Sequence, residues 1–250
     1  LASYTSVLYT THGHTPEAPR FRIIIPLTRD VTPDEYQAIA RYFAAEWGID
    51  QFDECSYRPH QLMYWPTTPS NGEYVCEKVE GEWLDPDVFL SLHPNWQDCS
   101  LLPTSSRESE VKENSGKKME DPEAKGGVVG LFCRAYPIRE AIDTFLSNVY
   151  EPSANIPGRY SYIPADSSAG VQIFEEKFAH SFHASDPACG RSLNSFDLVR
   201  VHKFGDEDEK KSFQAMCDFA MSLDKVRVLA AEEKKAEADM DFDDDEDWRE

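Results

Sequence analysis

A long polar stretch divides the apolar residues of this chain into two groups, and this division constrains the fold most. Residues 98–127 are rich in Ser, Glu and Lys and poor in aromatic side chains. Such a composition buries too little apolar surface to offset the entropy lost on ordering. We therefore expect a flexible linker over residues 96–127, one domain at 1–95, a second at 128–230 and an acidic tail at 231–250.

The charge of the chain argues against general coating of nucleic acid. Its net charge is −21, of which the acidic residues 232–250 contribute −8. Bulk attraction to phosphate is therefore absent, and any nucleic-acid binding must use a local basic patch.

The cysteines and the apolar pattern predict a cytoplasmic protein. The six cysteines are scattered without a C-x-x-C pair, which is typical of reduced thiols. No apolar run is long enough to cross a membrane, and no secretory signal is visible, so we expect no membrane contact. Because the chain begins with Leu1, we expect it to be part of a longer polypeptide.

Residues 6–27 predict two β-strands joined by a polar loop. Alternating and β-branched residues indicate the strands, while Pro16 and Pro19 keep the loop open. Arginine, imidazole and hydroxyl groups crowd the loop, and these groups suit a polyanion because they donate hydrogen bonds to phosphate oxygens. An ordinary solvated loop is the competing interpretation. The residues concerned are Thr11, His12, His14, Arg20 and Arg22.

A helix follows, with Thr32 as its N-cap, Glu35 completing a capping box and Gly48 at its end. Two acids, Asp50 and Asp53, come directly after it and could bind a divalent cation through oxygen ligands. Turn or cap residues are the competing interpretation, because Asp often has these roles. Strands are predicted at 62–65 and 73–79, and a short helix begins at residues 85–86.

The second domain combines helices with short strands. We predict helices at 139–149 and 206–229, with a further helix capped by Asn194, and strands at 159–163, 170–174 and 178–182. A cluster of possible zinc ligands occurs within ten residues. Strand alternation would place two of its histidines on opposite faces, so we expect no zinc. A metal-binding regulatory protein stays open as a third function class. The cluster consists of His180, His183, Asp186 and Cys189.

The first domain resembles a known family of replication proteins. The run Thr-Thr-His-Gly-His-Thr-Pro-Glu-Ala-Pro-Arg-Phe-Arg-Ile-Ile-Ile-Pro-Leu is followed by a helix and by Gly-Ile-Asp-Gln-Phe-Asp…Leu-Met-Tyr-Trp-Pro-Thr. This pattern is similar to the primase-polymerase region of virulence-associated E family proteins of phages and mobile elements, within the archaeo-eukaryotic primase superfamily. Residues 178–200 also resemble the stretch between primase and helicase in these proteins.

The resemblance implies an α+β fold, with an RRM-like primase-type domain, partial at its N-terminal side, and a small α+β domain. It also implies a metal-binding Asp-x-Asp or Asp-x-Glu motif, which would lie before Leu1. The second motif would fall on Thr10-Thr11-His12 or on His12-Gly13-His14. Nucleotide-binding residues would be Thr11, His12, His14, Arg20, Arg22 and Arg58. The third motif would be Asp53, with Asp50 as second choice. Relatives often carry an Arg where this chain has Gln61, which weakens one expected nucleotide contact.

These residues imply a DNA primase or polymerase that uses Mg²⁺ or Mn²⁺ through Asp53 and upstream acids. The expected partners are single-stranded DNA template, nucleoside triphosphates and a helicase domain of the same polypeptide, which the acidic tail would precede. This segment alone would then be inactive. The alternative is a non-catalytic module that binds DNA or a partner and recruits the helicase.

Overall fold

The computed structural model describes residues 4–108 and 119–244, and its contacts divide them into two units. Unit 1 comprises residues up to Gln97 together with Leu101–Ser106, and unit 2 comprises Asp98–Ser100 and the residues from Arg107 onward. Both units mix helices with an antiparallel sheet. The α+β class is therefore present in each of them.

The described part of unit 1 contains a three-stranded sheet, two α-helices and two 3₁₀ helices. The strand order is β2-β1-β3, so that β1 pairs with both neighbours, and Tyr9 lies opposite Arg22 on one side and Cys76 on the other. The elements are β1 Ser6–Thr10, β2 Phe21–Ile24, α1 Pro33–Trp47, 3₁₀ helices Ile49–Gln51 and Glu54–Tyr57, β3 Cys76–Val79 and α2 Pro86–Ser91.

Helix α1 begins and ends as its sequence predicts. The Thr32 hydroxyl accepts a hydrogen bond from the Glu35 N–H, and the Glu35 carboxylate accepts one from the Thr32 N–H. Gly48 ends the helix in the left-handed region at φ 95°. One face of α1 packs with α2 into the core of unit 1, whose fully buried residues are Ala38, Ile39, Leu84, Phe89, Leu90 and Leu102.

In its described residues, unit 2 has a five-stranded antiparallel sheet in the sequential order β4-β5-β6-β7-β8 and five helices around a larger core. Phe132 and Phe196 meet edge to face at the centre of this core, where both are fully buried. The elements are α3 Gly127–Ala135, α4 Ile138–Phe145, β4 Tyr150–Pro152, β5 Arg159–Tyr162, β6 Val171–Phe174, β7 Phe178–Ser181, β8 Ser192–Asn194, α5 Ser195–Phe204, α6 Glu209–Ser222 and α7 Asp224–Asp244.

Several predicted elements differ from the observed ones. The single helix predicted at 206–229 is two helices, because Leu223 adopts an extended conformation between them. The predicted strand at 62–65 is wrong, since these residues form no ladder. Helix α7 continues to Asp244, so the acidic tail is helical that far. Across residues 4–108 and 119–244, no helix combines the length and apolar character needed to cross a bilayer.

The expected linker is packed at its N-terminal side. Leu102 lies in the core of unit 1, and the Pro103 carbonyl accepts a hydrogen bond from the buried Arg41 guanidinium. Cys99 instead donates its N–H to the Ser168 carbonyl in unit 2. Residues 109–118, the middle of the expected linker, lie outside the described residues.

Candidate functional site

The loop between β1 and β2 is closed by its own hydrogen bonds. The Thr11 N–H donates to the Arg20 carbonyl, and the His14 N–H donates to the Thr11 carbonyl, both at 3.0 Å. His14 Nδ1 accepts the Arg20 N–H at 3.1 Å. The Arg20 guanidinium lies over Gly13, where a Cβ would stand 3.4 Å from Nη1. The loop therefore holds both predicted histidines and Arg20 in one small polar surface.

The predicted arginines differ from the other arginines in their partners. Within the described ranges, neither Arg20, Arg22 nor Arg58 forms an ion pair with a carboxylate. Many arginines elsewhere do form such pairs, and they are Arg29, Arg134, Arg139, Arg191, Arg200 and Arg227. Two arginines of the hairpin thus keep their charge available for an anion from outside.

Residues 62–67 run beside the hairpin without joining the sheet. Arg22 Nη1 donates to the Tyr64 carbonyl at 2.9 Å, and His12 Nδ1 lies 3.1 Å from the Thr67 hydroxyl. The side chains of residues 62–65 all face solvent, and Trp65 is 89% exposed. We name residues 62–67 the aromatic segment. A strand is predicted at residues 62–65, but the backbone there contacts a side chain of edge strand β2 and joins no ladder.

The two acids after α1 both have structural hydrogen bonds. Asp53 is exposed and caps a 3₁₀ helix, with its Oδ1 accepting the Cys55 N–H at 3.0 Å. Asp50 Oδ1 accepts both the N–H and the hydroxyl of Ser106. These contacts are those of the cap interpretation. The resemblance implies that Asp53 lies near His12 or His14. No hydrogen bond joins Asp53 to either histidine among the described residues, and their proximity stays a prediction.

The fit of a metal ion can be judged from the donors present. No group of three or more His, Cys, Asp or Glu side chains suited to a metal occurs in the described part of the chain. A two-metal site needs several convergent carboxylates, and Asp53 with its cap contact supplies one. The described residues therefore do not fit a magnesium or manganese centre by themselves.

The four candidate residues of unit 2 are separated by their contacts. His183 is fully buried, and its Nε2 accepts the N–H groups of Tyr162 and Gly170, both at 3.1 Å. Its proton therefore lies on Nδ1, 2.7 Å from the Ser167 hydroxyl. His180 is only half-buried and contacts Ser192 on β8. With both its nitrogens committed, His183 has the role of a core hydrogen-bonding group.

Asp186 belongs to a second buried network, which lies in the interior of unit 2. The Tyr150 hydroxyl donates to its Oδ2 at 2.8 Å, and His202 Nε2 lies 3.3 Å from its Oδ1. The Ala188 N–H also donates to Oδ1 at 2.7 Å. Burial raises the pKa of Asp186, but hydrogen bonds to its carboxylate, first that of His202 and then others that include the Ala188 N–H, outweigh it and leave the pKa lowered. Burial and the neighbouring Asp186 charge raise the pKa of Tyr150.

Cys189 lies in the turn between β7 and β8, where its N–H donates to the Asp186 carbonyl at 2.9 Å. None of the six cysteines, all of which lie within the described residues, forms a disulfide bond. The backbone of this turn positions Asp186 for the buried network.

Comparison with known families bears on unit 1. Residues 1–105 match the family model of the VapE N-terminal domain. The match covers the hairpin, both acids and the aromatic segment, and it supports the resemblance of this region to VapE-type proteins. It ends at residue 105, before the helices and the sheet of unit 2. No curated protein and no solved structure matches the chain.

Sequence reasoning missed two kinds of residue around these sites. Tyr150 and His202, the partners of Asp186, stand 36 positions before it and 16 after it, and no motif links them. The exposure of the aromatic segment was missed because a Leu-Met-Tyr-Trp run is typical of a buried strand. Two prolines, Pro59 shortly before the segment and Pro66 within it, were the available signal against a ladder.

Proposed function

We propose that unit 1 binds nucleic acid, and that the chain serves DNA replication in a phage or mobile element. The VapE match supports the replication context. The proposal includes the RRM-like arrangement implied by the resemblance, and a helicase domain of the same polypeptide as the partner that acts on the same DNA. This is the binding-module alternative of the sequence analysis.

The observation that carries this proposal is the unpaired charge of the hairpin. Arg20 lies in the loop with His12 and His14, Arg22 lies in the adjoining strand β2, and neither arginine forms an ion pair with a carboxylate within the described residues. Guanidinium groups bind phosphate oxygens bidentately, and imidazole N–H groups add further donors. The hairpin therefore has the chemistry of a phosphate-binding surface on an otherwise acidic chain.

Binding of a fluorescein-labelled oligonucleotide, followed by fluorescence anisotropy, tests this function. We expect Arg20→Gln and Arg22→Gln each to weaken binding roughly threefold to tenfold, and less at high salt, where phosphate attraction is screened. Arg227→Gln is the matched control, because it removes the same charge from an exposed helix of unit 2. If all three variants bind as the wild type does, or if the wild type does not bind, the proposal fails.

Primase or polymerase activity is the second candidate, and the state of Asp53 favours it. Asp53 forms its hydrogen bonds with the neighbouring Cys55, whereas Asp50 Oδ1 accepts both the N–H and the hydroxyl of Ser106, which is 56 residues further along the chain. A metal ion could replace the local contacts of Asp53 without breaking a long-range contact. Asp53 is thus the better of the two acids for Mg²⁺ or Mn²⁺, provided that other acids of a longer polypeptide complete the centre. Nucleoside triphosphates and a single-stranded template would be its substrates.

The test of this candidate is primer synthesis and extension by the longest natural polypeptide that contains the chain. Asp53→Asn keeps the shape of the cap and removes the charge, so the fold should survive and activity should be lost. Asp50→Asn is the comparison. Equal extension rates for wild type and Asp53→Asn would make Asp53 a cap residue only.

A further inference from the structure

Four consecutive large apolar side chains of unit 1 face solvent. Leu62, Met63, Tyr64 and Trp65 are 65%, 53%, 71% and 89% exposed. Single exposed apolar residues are normal, but a contiguous patch marks an interaction surface. We therefore expect a ligand whose groups pack on the exposed rings of Tyr64 and Trp65.

The backbone of the aromatic segment is held although its side chains are not buried. One anchor joins Tyr64 to Arg22, and a second joins Thr67 to His12. Three residues span at most about 11 Å, so the segment stays beside the hairpin over this distance. The backbone of the segment is therefore already ordered without a ligand, and a ligand that binds there loses less free energy to ordering the protein.

The charges around this surface select the occupant. Residues 9–24 and 58–67 contain three arginines and one glutamate, a net charge of +2, within a chain whose net charge is −21. The acidic residue of β3, Glu77, is separated from β2 by β1. A second copy of the chain would bring a further −21 charge to the surface. An anionic ligand with flat apolar groups fits better.

We infer that the aromatic segment stacks the bases of single-stranded DNA whose phosphates are bound by the hairpin. The inference rests on the proposed nucleic-acid binding and adds how a single strand is recognised. Bases stack on aromatic side chains whatever their sequence, and arginines beside them bind the backbone. In a duplex the bases are stacked on each other, so Tyr64 and Trp65 would have nothing to cover them.

Anisotropy with three labelled probes of about 20 nucleotides tests this inference. The probes are oligothymidylate, a duplex of the same length and an abasic strand that keeps the phosphates and lacks the bases. We expect the wild type to prefer oligothymidylate, and Trp65→Ala to weaken that binding about fivefold to a hundredfold. Trp65→Phe should restore most of it. Trp83→Ala, an exposed Trp beside the opposite ends of the strands, is the matched control.

The abasic strand separates stacking from phosphate binding. The wild type on the abasic strand should bind as weakly as Trp65→Ala does on oligothymidylate. If the wild type binds all three probes equally and Trp65→Ala changes nothing, phosphate binding stands and stacking is overturned. If the wild type binds no probe, the proposed function itself fails. If sedimentation shows a dimer that Trp65→Ala dissociates, a second copy covers the segment and the inference is wrong.

Discussion

At the scale of single residues, a glycine and a histidine interlock in the sheet of unit 2. A Cβ on Gly170 would lie 2.7 Å from the His183 ring, closer than side chains tolerate, while the Gly170 N–H donates to that ring. The pair could not be predicted, because the sequence shows His183 only as a possible ligand. Its partners are backbone groups that the strand pairing brings to it.

We expect Gly170→Ala to lower the free energy of unfolding by about 1–3 kcal/mol, because the added methyl group overpacks a rigid site. Urea unfolding followed by circular dichroism gives this value. Gly126→Ala is the control, since nothing lies within 4 Å of its added Cβ and its φ of −72° suits alanine. Equal unfolding midpoints for wild type and Gly170→Ala would contradict the contact.

Asp186 should make the stability of unit 2 depend on pH. Its pKa is lowered in the folded state, so its contribution is complete above the ordinary aspartate pKa of about 3.9 and is lost as pH falls through the lowered value. The stability difference between wild type and Asp186→Asn should therefore be larger at pH 7 than in strong acid. Urea midpoints at both pH values measure it, with the exposed Asp143→Asn as control. A difference that is the same at both pH values would sink this prediction.

At the scale of elements, local signals predict α1 and strands β5, β6 and β7 closely but fail at residues 62–65 and at the helix break at Leu223. The start and end of α1 follow from Thr32, Glu35 and Gly48, whose capping contacts lie within and next to the helix. The break at Leu223 has no glycine or proline to announce it. Residues 62–65 have strand composition, but a strand also needs a partner with unpaired backbone groups, and that partner is distant in sequence.

Thr32→Ala should lower the free energy of unfolding by about 1 kcal/mol, because it removes the side-chain acceptor for the Glu35 N–H. Thr32→Ser retains a hydroxyl and should stay near the wild type. Chemical denaturation, read on a signal from unit 1, compares the three proteins. An alanine variant as stable as the serine variant would show that the cap contributes nothing.

At the scale of the whole molecule, the sequence predicts the basic and polar residues of the hairpin, the acids Asp50 and Asp53 after α1, and the mixed α+β class of the fold. It could not find which charges remain unpaired, because pairing depends on tertiary neighbours. Nothing in the sequence distinguishes Arg29 from Arg20. In the structure, Arg29 binds Glu35 and Asp87, while Arg20 has no carboxylate partner among the described residues. The candidate site is defined by this difference.

The contrast between a net charge of −21 and a locally positive hairpin has a consequence for rates. At long range the net negative charge of the protein repels a DNA strand. Added salt screens this repulsion and should therefore raise the association rate constant. Once bound, the strand is held by nearby arginines, so the same salt should speed its departure. Stopped-flow measurements should thus show association and dissociation rate constants that both rise with ionic strength, unlike those of a basic DNA-binding protein, whose association slows.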